Sequence, residues 1–237
     1  MSVSKTKNTA ASVKEKLLNV ARKSGRGFDA LFLQYVQERF LYRLSVSEHS
    51  RNLILKGAML FRSHGINDGR PTKDIDFLAR VKANDVETVR NLLIEIMKIQ
   101  CDDGILFDIG SLKFEEIDRD GKYCGLRVVF EANLAQATKT LQIDIGFGDV
   151  IVDGPVLVDF PVILIQNPVP KIYSYSLSSA IAEKFEAIVK LSYANSRMKD
   201  FYDILFLAER NSFEMKAMKE AITETFKNRK TPLTGME

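Results

Sequence analysis

Most of the strand signal in this chain is gathered into one block. Between residues 105 and 165, β-branched residues and phenylalanines alternate with polar ones at 105–108, 111–117, 123–131, 139–147 and 156–165, the period-two rhythm of half-buried strands. Asp120-Gly121, between two of these runs, is a hairpin turn signal. Helical periodicity brackets the block. It covers 11–23 (Val13, Leu17, Leu18, Val20 and Ala21 on one side), 28–44 and 50–63, then 83–99 after a short strand at 74–79. Beyond Pro168 and Pro170 the pattern predicts helices at 178–193, 197–210 and 213–228. Strands collected in one block, rather than alternating with helices, predict an α+β fold instead of a doubly wound parallel sheet. The break falls near 168–177, which divides the chain into 1–167, with N-terminal helices and an α/β part, and 168–237, a helical part.

Bulk properties narrow the function. At 237 residues the chain makes one or two domains. A net charge of +3 is compatible with an anionic partner without requiring one. Cys101 and Cys124 form no CxxC, so a disulfide framework and a structural zinc site are not expected, and a reducing cytoplasm fits. His49 and His64 are too few for a histidine-based metal site. No apolar run approaches the roughly 20 residues that span a bilayer, and the N-terminus carries no signal-peptide core, so no membrane partner is expected.

Asp74-Ile75-Asp76 is the feature richest in chemistry. On a strand, residues i and i+2 share a face, so both carboxylates aim at one point. Hard oxygen donors in that arrangement suit Mg²⁺. Ile75, Phe77 and Leu78 make the strand half-buried, where two like charges are costly without a cation. Asp144, in Leu141-Gln142-Ile143-Asp144-Ile145, is an acid between isoleucines. It becomes a third carboxylate if its strand lies beside 74–80, with Gln142 on its face. Gly57 would let backbone N–H groups approach a phosphate, and Arg70, Thr72 and Lys73 offer charge and hydroxyl to a triphosphate. Lys184 follows Glu183, and Asp200 and Asp203 share one helix face. Arg39 and Arg43, one turn apart, read either as a solvated flank or, with Lys171, Lys190, Arg197 and Lys199, as an RNA-binding face.

Taken in order, Leu55-Lys56-Gly57-Ala58-Met59-Leu60, Arg70-Pro71-Thr72-Lys73-Asp74-Ile75-Asp76-Phe77, Ala182-Glu183-Lys184 and Asn195 to Asp203 resemble the AbiEii/AbiGii toxin family of nucleotidyltransferases, of the DNA-polymerase-β-like superfamily. The likeness runs from about residue 12 to 210. It implies a nucleotidyltransferase-type mixed sheet with N-terminal helices and a C-terminal helical bundle. It implies Mg²⁺-dependent transfer of a nucleotide from an NTP, with Asp74 and Asp76 as metal ligands and Asp144 beside them. Lys184 is expected near the phosphates and Asp200 as the acid of the C-terminal motif, supported by Arg197, Lys199 and Asp203. Lys56, Gly57, Arg70, Thr72 and Lys73 are expected around the nucleotide. Asp144, or else Asp200, would accept the proton. The resemblance further implies a toxin with a separately encoded antitoxin and an RNA acceptor such as a tRNA 3′ end. A small molecule such as an aminoglycoside, or a binding module without turnover, are the alternatives. The chain departs from the family at Gly57-Ala58-Met59, where members often show Gly-Gly-Thr or Gly-Ser. The hydroxyl expected there is absent, and Thr72 is the nearby substitute.

Overall fold

The structure is a computed structural model that describes residues 9–64, 72–81, 83–119, 122–191 and 198–233. Two helices, α1 (Thr9–Ser24) and α2 (Phe28–Val46), lead into strand β1 (Leu53–Lys56), the short helix α3 (Met59–Ser63) and strand β2 (Asp74–Ala79). Helix α4 (Val86–Lys98) precedes three long strands, β3 (Ile105–Arg119), β4 (Lys122–Leu134) and β5 (Ala137–Phe147). Two short strands, β6 (Val156–Asp159) and β7 (Lys171–Ser174), are followed by α5 (Leu177–Leu191), α6 (Met198–Arg210) and α7 (Met215–Arg229). All seven strands form one mixed sheet in the order β3-β4-β5-β2-β1-β7-β6. β2–β5 and β1–β7 are parallel and the other pairs antiparallel. The α+β class is therefore as read from the sequence.

Three elements differ from the expectation. The helix expected over 50–63 is a strand, β1, and then the five-residue α3, because Gly57 sits at φ +67° between them, where the chain cannot continue either element. The strands expected at 105–108 and 111–117 are one strand. A register shift between Asp108 and Lys113 is stitched by Asp108 Oδ1 accepting from Gly110 N–H at 2.9 Å. The run at 156–165 contributes only Val156–Asp159, whereas Lys171–Ser174, inside the segment read as a break, joins the sheet between β1 and β6. The sheet thus extends past residue 168, and the helical part starts at Leu177. The Asp120-Gly121 turn lies outside the described residues; the strands flanking it pair as a hairpin.

The sheet has two differently used faces. Leu53, Leu55, Ile75, Phe77, Val128, Phe130, Ile143 and Ile145 point to one side, where α2 packs. Phe40 of α2 lies 6.4 Å from the Phe77 ring and 5.9 Å from those of Phe107 and Phe130. The middle of α2 is enclosed, so Gln37, Glu38, Arg39 and Arg43 are buried with its apolar residues. Arg43 forms a bidentate pair with Asp103 (2.7 and 3.0 Å) and donates to the Ile99 and Ile105 carbonyls. Arg39 pairs with Glu38 at 2.7 Å, with neither side chain exposed. Arg39 and Arg43 are thus neither a solvated flank nor part of an RNA-binding face; they brace the core. On the opposite face Ile54 and Leu78 meet Phe61, Ile181, Phe206 and Leu207. Asp74 and Asp76 share that second face with Leu78, farther along β2, at the end where the strand begins.

Candidate active site

Strand register creates a row of charges across the sheet. Lys56 of β1 lies opposite Asp76 of β2, Asp76 opposite Asp144 of β5, Asp144 opposite Arg127 of β4, and Arg127 opposite Glu115 of β3. Two like charges thus sit side by side at the centre, each with a cation on its outer flank. One step along, Asp74 faces Gln142. The alternation of β2 and β5 sends Ile75, Ile143 and Ile145 to the core and keeps Asp74, Asp76, Gln142 and Asp144 together. Carboxylate oxygens of Asp74, Asp76 and Asp144 all lie within 4.8 Å of one another.

Each acid is held differently. Thr72 Oγ1 donates to Asp74 Oδ1 at 2.5 Å. Asp144 accepts a bidentate pair from Arg127, at 2.9 Å from Nε and 2.8 Å from Nη2, and a bond from Gln142 Nε2 at 3.1 Å. Among the described residues Asp76 has no such clamp. Burial first, and then repulsion from Asp74 and Asp144, push its carboxyl from the usual 3.8 up to about 6, against the pull of Lys56 and Lys184. Gly57 explains how it fits. A Cβ at residue 57 would lie 2.0 Å from Asp76 Oδ2 and 2.6 Å from its Cγ. The position a Cβ would take at residue 57 is filled by this carboxylate, and the Thr72 hydroxyl donates to Asp74.

A cavity of about 300 Å³ opens onto these acids. Its lining includes Lys56, Arg127, Lys184, Lys199 and Arg229 against Asp74, Asp76, Asp144, Glu183 and Asp200. Five cations facing five acids leave no net charge among the described residues to draw in a triphosphate. Lys184 Nζ donates to Asp203 Oδ2 at 2.7 Å and to Asp200 Oδ1 at 3.3 Å, which joins α5 to α6. Asp200 and Asp203 are buried, whereas Lys199 is exposed at the rim.

Below Asp76 lies a second network. Lys56 Nζ reaches Asp149 Oδ2 at 2.7 Å and Glu183 Oε1 at 3.4 Å. Arg229 of α7 contacts Asp149 (2.9 Å), Glu183 (3.0 Å) and Glu186 (2.9 Å). Burial alone would raise the Asp149 carboxyl, but Lys56 and Arg229 hold it well below the usual carboxylate range. The Lys56 ammonium, expected beside the nucleotide, is thereby tied between the acid row and the C-terminal helices.

Asp74, Asp76, Asp144, Lys56, Gly57, Thr72, Lys184, Lys199 and Asp200 all border this cavity. Lys73 lines a neighbouring one, and Asp203 meets the site through Lys184. Arg70 and Arg197 lie outside the described residues. Arg127, Asp149 and Arg229 went unrecognised in the sequence. Arg127 alone carried a usable signal, as a cation alternating with apolar residues in a strand.

The structure is similar to two from Helicobacter pylori: a protein described as a candidate nucleotidyltransferase (TM-score 0.53, 17% identity, covering 85% of this chain and 79% of that one) and JHP933 (TM-score 0.50, 16% identity, covering 86% and 82%). No curated protein matches the sequence. Residues 39–237 match the family described as nucleotidyl transferase AbiEii toxin, type IV toxin–antitoxin system, and the chain belongs to that family. It is a nucleotidyltransferase of the AbiEii toxin type, and none of its described helices is long and apolar enough to cross a membrane.

Proposed function

We propose that this enzyme transfers a nucleoside monophosphate from an NTP to the 3′-hydroxyl of an RNA, with tRNA as the favoured acceptor, and that it acts as the cytoplasmic toxin of a pair whose antitoxin is separately encoded. The convergence of three carboxylates on one cavity carries the reading. The donor set fits Mg²⁺: hard oxygen ligands, closely grouped, with Asp76 left unclamped among the described residues and its carboxyl pushed up to about 6. Asp74, Asp76 and Asp144 would hold the metal, which supplies positive charge to the phosphates that the neutral cavity lacks.

The chain's own groups do the rest. The acceptor 3′-oxygen attacks the α-phosphorus, the bond to the β-phosphate oxygen breaks, and pyrophosphate leaves. Asp144 takes the hydroxyl proton, while Arg127 fixes its carboxylate by the bidentate pair. Lys184 has three donors; Asp203 and Asp200 accept two, and the third serves a phosphate oxygen. Asp200 and Asp203 act as positioning residues through Lys184. Thr72 orients Asp74. Lys199, at the rim, adds charge for the triphosphate.

Incubation of the purified protein with each α-³²P-labelled NTP, MgCl₂ and total RNA tests this directly. Label is expected in RNA with the native protein and absent with Asp76→Asn. Label in RNA at the native rate with Asp76→Asn, or label confined to a small-molecule acceptor, refutes it.

A further inference from the structure

We propose that the large cavity between α2 and β5 receives the sugar–phosphate backbone of the acceptor strand, with Arg62 as the anchor for one of its phosphates. This rests on the reading of the acceptor as RNA.

The cavity measures about 1190 Å³ and shares Ala58 and Thr72 with the acidic pocket. Gln142 on its wall donates to Asp144 at 3.1 Å. A strand lying in the cavity therefore ends at the carboxylates. Among the described residues its charged lining is Arg26, Arg62, Lys73 and Lys139 against Asp29. Lys139 pairs with the exposed Asp29 at 2.5 Å, and the exposed Arg26 donates to Gln34 Oε1 at 2.6 Å.

Arg62 is different. It is half-buried and takes part in none of the ion pairs among the described residues, with its guanidinium carbon 5.5 Å from the centre of the Phe160 ring. Burial and the nearby Arg26 push its pKa down to about 10. Glu38, the acid that pulls the other way, is already held by Arg39 at 2.7 Å and by the Ile163 N–H at 2.7 Å. A partly desolvated guanidinium without a counter-charge among the described residues is an anion site.

The lining also selects the kind of anion. No aromatic ring lines the cavity among the described residues, so it offers no platform on which bases stack. Its volume exceeds the roughly 300–1,000 Å³ of small-ligand pockets, which suits a polymer segment. A polycationic acceptor such as an aminoglycoside would meet like charge from four side chains.

The test measures two affinities on the full chain. Fluorescence anisotropy follows a short 5′-fluorescein ribo-oligonucleotide across a salt series in EDTA, and mant-ATP with MgCl₂ reports the nucleotide. Arg62→Gln is expected to weaken oligonucleotide binding about tenfold and to reduce the slope of log K against log salt by about 0.7, with mant-ATP affinity unchanged. Equal oligonucleotide affinity and slope in the native protein and Arg62→Gln overturns the cavity assignment while leaving the RNA reading in place. Loss of mant-ATP binding in Arg62→Gln also overturns it, by making the cavity the nucleotide's. A native protein that binds no oligonucleotide removes the RNA reading and this proposal together. If Arg62→Gln does not fold, the double variant Arg26→Gln/Lys139→Gln, altered toward the cavity mouth, is expected to lower the slope in the same sense, and an unchanged slope overturns the proposal.

Discussion

Replacing Asp76 with asparagine should stabilise the metal-free protein while abolishing its activity. The carboxyl is raised from 3.8 to about 6 by burial and by its two acidic neighbours. At 1.36 kcal/mol per unit, a rise of about two units makes ionised Asp76 cost about 3 kcal/mol of folding stability above pH 6. The sign follows from proton binding. Between pH 3.8 and 6 the folded state holds a proton that the unfolded state has released, so native stability falls as pH rises through this window. Asparagine keeps the shape and removes the charge. Urea denaturation in EDTA, from pH 4 to pH 8, should show native protein and Asp76→Asn nearly equal at the acid end, with the variant ahead by about 3 kcal/mol at pH 8. Saturating MgCl₂ should close the gap by stabilising only the native protein. A native protein as stable as the variant at pH 8 in EDTA would refute the claim that this aspartate is destabilised where it sits.

Other substitutions probe the surroundings. Gly57→Ala should cost about 1–2 kcal/mol for the φ of +67° alone, and more for the collision with Asp76, so that urea titration shows lower stability and calorimetry shows weakened divalent binding. Arg229→Met should destabilise by about 3–5 kcal/mol in chemical denaturation, because Asp149, Glu183 and Glu186 lose the guanidinium they share. Arg43→Met should do likewise by stranding Asp103 in the core, without changing the salt dependence of RNA binding. The depressed Asp149 carboxyl contributes stability that is present above the ordinary carboxylate pKa and is lost as pH falls through its folded value. Asp149→Asn should therefore lower stability at neutral pH and flatten the acid limb of a pH–stability curve.

The long amphipathic elements were legible because each follows one period for many residues: α4, the β3–β5 block and α5 to α7 lie close to where periodicity put them. The acid triad was legible for a related reason, since alternation in β2 and β5 fixes which side each aspartate takes. Leu53-Ile54-Leu55 was not. A four-residue apolar strand running into a short helix offers no period to choose by. α2 misled in another way. Its Gln37, Glu38, Arg39 and Arg43 resemble a wet flank, but these positions are enclosed, and Arg43 and Arg39 reach partners such as Asp103 and the Pro168 carbonyl. Asp149 and Arg229 meet 80 residues apart in the chain, a distance at which local pattern carries no information.

The most direct measurement is equilibrium binding of Mn²⁺, followed by electron paramagnetic resonance of the free ion. Native protein should deplete the free signal, and Asp74→Asn and Asp76→Asn should each leave it close to that of buffer alone. Equal depletion by all three proteins would contradict the assignment of these carboxylates as the metal-binding centre of the enzyme.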